Sequence, residues 1–146
     1  MQIPPRFERV LHKARIARLA TVDSKYRPHL IPVVFVFCND LFYLPIDHKS
    51  KRARPEKLKR VRNIQQNSNV ALLIDRYSEN WKELFYILIQ GKASILGNKY
   101  MTNHEKSLSH DFHILLREKY KQYEKIGVGE YIIMIKPQKA VTWSNV

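Results

Sequence analysis

Between Leu41 and Asp75 the sequence sets two strand-like runs on either side of a dense cluster of positive charge, and the rest of the chain is organised around that stretch. Leu41-Phe42-Tyr43-Leu44-Pro45-Ile46 reads as a strand, and Val70-Ala71-Leu72-Leu73-Ile74-Asp75 as a buried one. A basic turn, Asp47 to Arg54, and a helix expected from Pro55 to about Asn67 lie between them. Eight Lys or Arg fall between Lys49 and Arg62, against one acid, Glu56. The first turn of a helix leaves N–H groups without partners and carries the positive end of the macrodipole, so a basic turn feeding a helix suits an anion. Pro55 fits the first helical position. Leu58, Val61 and Ile64 recur every three residues as a narrow buried stripe. Arg60 and Asn63 then share another face, one turn apart, where both could reach one ligand. A merely solvated charged surface is the alternative reading of the same run.

The rest of the chain supplies mostly strands. Pro4 to Ala14 has helical spacing, with Phe7, Val10, Leu11 and Ala14 on one apolar face, and is expected to pack over a barrel end. Ile16 to Val22 and Leu30 to Phe37 read as strands joined by the polar turn Asp23 to Pro28. Pro32 cannot donate to a ladder, so it marks an edge, a bulge or a close approach to the backbone. Gly91 interrupts the long strand Leu84 to Leu96 and predicts a bend or bulge. One or two helices are expected over 98–125, buried through Leu108, Phe112, Leu115, Leu116 and Tyr120. Gly127-Val128-Gly129 then releases a last strand, Tyr131 to Lys136, with an extended tail through Trp143. This order predicts a mainly β chain: one six-stranded antiparallel sheet closed into a barrel with flanking helices, a single domain over residues 1–146.

Net charge of +13 predicts attraction to phosphate-bearing partners. The densest cluster is a compact turn and not a stripe interleaved with aromatics, which favours a cofactor over nucleic acid. A small basic nucleic-acid-binding barrel stays as the third reading. No apolar run reaches spanning length, so no membrane partner is expected, and a single cysteine, Cys38, fits a reducing, cytoplasmic setting. There is no Gly-x-Ser-x-Gly elbow, phosphate loop or dinucleotide fingerprint. His104, His110 and His113 lack tight ligand spacing, and no metal site is expected. Tyr43 and Tyr77 are able proton donors, but neither position identifies one, and catalytic residues stay unassigned.

Several segments together resemble a known family. They are Arg18-Leu19-Ala20-Thr21-Val22-Asp23, Arg27-Pro28-His29-Leu30-Ile31-Pro32-Val33, Ile46-Asp47-His48-Lys49-Ser50-Lys51, Leu58 to Ile64, Leu72 to Tyr77 and Asn80-Trp81. The chain is similar to the pyridoxamine 5′-phosphate oxidase-like, flavin-binding split barrels, and within them to the F420-dependent oxidoreductases. The resemblance implies a homodimer with cofactor sites at the subunit interface, F420 as cofactor with FMN as the alternative, and a small-molecule substrate. It assigns the cofactor phosphate to Lys49, Lys51, Lys59 and Arg60 with Asn63 in support. It lays the ring along Leu30, Ile31, Pro32 and Val33, flanks it with Leu44, Pro45, Ile46 and Asp47, and sets Asp75, Arg76 and Trp81 toward the partner's half of the site. Pro45 stands where many relatives carry a small hydroxyl residue, which shifts phosphate holding onto side chains. A flavin- or haem-binding split barrel without catalysis is the remaining alternative.

Overall fold

A computed structural model describes residues 3–46, 57–97 and 101–145. Its centre is one antiparallel sheet of seven strands in the order β2-β1-β5-β6-β7-β4-β3. These are β1 (Ala17–Val22), β2 (Pro28–Val33), β3 (Val36–Cys38), β4 (Leu41–Pro45), β5 (Asn69–Arg76), β6 (Phe85–Leu96) and β7 (Ile132–Ser144). The strands at its two ends, β2 and β3, are consecutive in the chain, so the sheet curls back toward itself as a split barrel does. Helices α1 (Pro5–Lys13), α2 (Lys59–Gln66), α3 (Asn103–Lys119) and α4 (Gln122–Ile126) flank it. No helix among the described residues is long and apolar enough to cross a membrane.

The expected second strand is two strands, and this accounts for seven in place of six. The chain breaks at Val34-Phe35 because Phe35 bonds to side chains of α3 and its C-cap and not to a neighbouring strand. Its N–H donates to the Tyr120 hydroxyl at 3.3 Å, and its carbonyl accepts from Lys119 Nζ at 2.9 Å. Main-chain groups in an interior need partners of some kind, and here α3 supplies them. Lys119 Nζ also lies 4.0 Å from the centre of the Phe35 ring and reaches the Leu11 carbonyl at 3.4 Å, which ties α1 to the same point.

Other expectations hold with small shifts. Pro32 lies in β2 at the edge of the sheet. Gly91 sits at a register shift against β7, where a Cβ would strike the Lys136 carbonyl oxygen, so the bulge needs glycine. The last strand continues through Pro137 to Ser144. Helix α3 opens on a capping box between Thr102 and Glu105, with bonds of 3.1 and 3.0 Å.

Two cores result. Inside the curl, Leu19, Phe35, Phe42, Leu44, Leu72, Ile87, Ile89 and Ile133 pack with Phe7 and Leu11 of α1 and Val61 and Ile64 of α2. Outside it, α3 lays Phe112 and Leu116 over Val36, Tyr43, Leu96 and Ile132. The β3-β4 end of the sheet is therefore covered on both faces.

Candidate functional site

The turn between β1 and β2 is built around Asp23, which is 6% exposed. Its Oδ1 accepts from the backbone N–H groups of Lys25 at 2.8 Å and Arg27 at 3.0 Å. Its Oδ2 accepts from Arg27 Nε at 2.8 Å and faces Lys59 Nζ at 3.6 Å. The Arg27 N–H, with its guanidinium and the Lys25 N–H behind it, holds this carboxyl well below the usual range despite its burial. Asp23 thus fixes two cations, Arg27 and Lys59, at one end of the β1-β2 pair.

Lys59 is also the first residue of α2. Leu58 precedes it in extended conformation without a capping side chain, and the first turn holds no acid. The start of the helix is accordingly electropositive. This is four residues later than the expected start at Pro55, which lies outside the described residues. Val61 and Ile64 are buried and Leu58 is partly so, as their spacing predicts. Asn63 is a correction: it is 2% exposed, and its amide donates to Thr21 Oγ1 at 3.0 Å. It pins α2 to β1 and does not share an outward face with Arg60. The apolar stripe is wider than a period of three suggested, because Thr21 offers Asn63 a partner inside.

Beside this cationic end runs β2, with Leu30 and Pro32 exposed and Ile31 and Val33 half-buried. As an edge strand it keeps one side of its backbone unpaired with any other strand of the sheet. Leu44, Pro45 and Ile46 are buried, with Leu44 and Ile46 wholly inside the core, so their side chains face packing and not solvent. Asp47, Lys49 and Lys51 lie outside the described residues. Asp75, Arg76 and Trp81 are at the far end of β1 from Lys59. Asp75 pairs with Arg18 at 2.6 Å and Arg76 with Glu83 at 3.0 Å. Trp81, 63% exposed, sits in a short turn whose Lys82 N–H is accepted by Asn80 Oδ1 at 3.3 Å.

Within one chain the structure therefore brings Lys59 to the turn that leads into β2, and sets Asp75, Arg76 and Trp81 apart. What the sequence reading missed is Asp23 with Arg27. The signal was present in the polar turn Asp23-Ser24-Lys25-Tyr26-Arg27, since an Asp commonly accepts from the N–H two residues on. Tyr43 is sealed beneath α3, and burial, with Cys38 and Asp111 nearby, pushes its hydroxyl up to about 12. Tyr77 is exposed and donates to Glu79 at 3.1 Å. Among the described residues no three His, Cys, Asp or Glu side chains converge as a metal site.

A curled antiparallel sheet with α3 outside, α1 and α2 packed on the inner core and a cationic end beside an exposed edge strand defines a split barrel. The model of the pyridoxamine 5′-phosphate oxidase family matches residues 3–139, and the chain belongs to that family. Three solved structures share the fold. The haem storage protein HutZ of Vibrio cholerae is 15% identical, with a TM-score of 0.70 over 99% of this chain and 95% of that one. An FAD-binding protein of Mesorhizobium loti is 14% identical, with a TM-score of 0.67 over 97% and 94%. A protein named as an F420 reductase is 17% identical, with a TM-score of 0.64 over 95% and 98%. No curated protein sequence matches the chain.

Proposed function

We propose that this chain binds a phosphate-bearing flavin-type cofactor, F420 first and FMN as the alternative, between two copies of itself, and uses it to reduce an electron-poor small molecule. The observation that carries the reading is the placement of Lys59, at the start of α2 and 3.6 Å from Asp23 in the turn that leads into the exposed edge strand β2, with Arg60 next to it in the helix. Lys59 and Arg60 would take the phosphate, and the backbone of Leu30 to Val33 would lie along the ring. The longer acidic tail of F420 suits the basic run from Lys49 to Arg62. When bound in its reduced form, such a cofactor gives a hydride to the acceptor and is left oxidised, and the acceptor takes one proton from water or a side chain.

The second copy is supported by the outer face of β1, β5, β6 and the end of β7. Arg18, Leu73, Leu88 and Val141 follow one another across that face, with Tyr86 stacked on Trp143 at 6.1 Å beside them. A sheet face that leaves these apolar and aromatic side chains without a covering helix among the described residues, between Arg18 on one side and Gln90 and Lys139 in the next row, suits an interface between copies. Holding a cofactor without turnover is the second reading. It is favoured by the sealing of Tyr43 and the tying of Tyr77 to Glu79, and by the haem storage neighbour.

The test is a titration of the protein with F420 and, separately, FMN, followed by tryptophan fluorescence at moderate salt, beside an Arg60→Ala variant. Micromolar or tighter binding of one cofactor, weakened in the variant, is the expected result. Failure of both to bind would overturn the reading.

A further inference from the structure

A cleft of about 840 Å³ opens where β2 ends, between Val34, Tyr120 and the segment from Ile126 to Gly129. Its size is that of a small-molecule site. Val34 directly follows β2, and Val33 pairs with Ala17 at this end, while Pro28 pairs with Val22 next to Asp23 and Lys59 at the other. The two ends are separated by the length of β2, roughly 17 Å at the usual rise per strand residue. A cofactor with its phosphate at Lys59 and its ring along Leu30 to Val33 would direct that ring toward this cleft.

The lining is mostly apolar and contains no Asp or Glu. Its two cations differ. Lys121 lies 3.6 Å from Glu124, so its charge is partly answered. Arg15 has no carboxylate partner among the described residues. Its guanidinium is held 4.6 Å over the Tyr120 ring, and that ring is fixed because its hydroxyl bonds to the Arg15 and Phe35 carbonyls at 3.0 and 3.1 Å. Stacking orients the guanidinium and leaves its N–H donors for an anion. Ile126, the last residue of α4, and Val128 beyond it provide apolar surface opposite.

We infer that this cleft is the acceptor subsite, and that it takes a flat, apolar molecule bearing one anionic group, which pairs with Arg15. The acceptor role rests on the cofactor reading above; the ligand class rests on the cleft alone. The test uses the full chain without cofactor, with 2-naphthoate and its uncharged counterpart 2-naphthamide as probes, on wild type, Arg15→Gln and Val128→Trp. Thermal melts establish that each variant is folded. Naphthoate is expected to bind wild type and to weaken about tenfold or more in Arg15→Gln, the loss of one charge-assisted bond. Naphthamide should be nearly indifferent to Arg15→Gln, and Val128→Trp should exclude both probes. F420 and FMN are titrated against the same three proteins, and their affinities should not change. Naphthoate binding that is absent from wild type, or equal in all three proteins, would overturn the subsite. Cofactor binding without the naphthoate pattern would remove the subsite alone. The naphthoate pattern without cofactor binding would sustain the ligand class and overturn the acceptor role along with the cofactor reading.

Discussion

The two halves of the sheet treat the same kind of outward-facing residue differently. At the β3-β4 end, Val36, Tyr43 and Ile132 point outward and are covered by Phe112 and Leu116 of α3. Across β1, β5, β6 and the end of β7, Ala20, Leu73, Leu88 and Val141 also point outward, and no helix among the described residues covers them. Trp143 remains 42% exposed and Leu30 67%. A strand with both faces packed is part of a finished core, whereas one with a single packed face keeps apolar surface available. The covered half stabilises the chain. The open half is where a second copy is proposed to sit, and β2, the proposed ring strand, borders it.

The sharpest way to break this contrast is to truncate one residue in each half. Phe112→Ala empties a fully buried site under α3 and should cost ~3–5 kcal/mol. Leu88→Ala, at a half-buried position on the open face, should change the stability of the single chain by about 1 kcal/mol or less. Urea unfolding at protein concentrations low enough to exclude association measures both. Equal losses would mean that the two halves do not differ as described.

Next in size is Asn63→Ala. The substitution leaves Thr21 Oγ1 without its amide partner inside the barrel and frees the start of α2 from β1, at ~1–3 kcal/mol. If Asn63 only positions the helix, Asn63→Ala should weaken cofactor binding less than Arg60→Ala does. A larger loss in Asn63→Ala would return the residue to the phosphate site.

These residues also show what could be read ahead of the structure. The apolar run Val70 to Ile74, the edge position of Pro32 and the bulge at Gly91 are set by neighbours in sequence and by simple alternation, and each appears as expected. The break at Val34-Phe35 is not local. It depends on Tyr120, 85 residues away, which no strand pattern near Phe35 announces. Leu44 and Ile46 are assigned to the flank of a ring by the family resemblance alone. The inner core takes both residues, and α3 closes the opposite face over Tyr43. Asn63 looked outward because its helical position was counted from a period of three, and Thr21 made an inward amide stable.

The pH dependence follows from two groups at opposite ends of the β1-β2 pair. Lys119 is pushed down from 10.5 to about 8, first by burial and then by the charge of Arg15. Between about 8 and 10.5 the unfolded chain holds a proton that the folded chain has released, so this group makes stability rise with pH across that window. Asp23 works in acid. Its carboxyl is lowered from 3.8, so the stability it contributes is present above that value and is lost as pH falls through the folded one. Unfolding curves for wild type and Lys119→Met should differ in slope over the alkaline window and run parallel near neutrality. Parallel curves throughout would mean that the carbonyls and the Phe35 ring hold the ammonium as well as water does.

The smallest expected effect tests the open half most directly. Arg18 and Asp75 form an ion pair on the outer face, beside Leu73 and Leu88, and both side chains are substantially exposed in the single chain. An exposed pair of this kind contributes at most about 1 kcal/mol and is screened by salt, so Asp75→Asn should barely alter unfolding of the isolated chain. If a second copy covers the face, the same substitution leaves Arg18 desolvated without its partner, and association should weaken far more than folding. Sedimentation of wild type and Asp75→Asn across a dilution series, with unfolding measured alongside, separates the two. A substitution that changes neither would place the partner copy elsewhere than on this face.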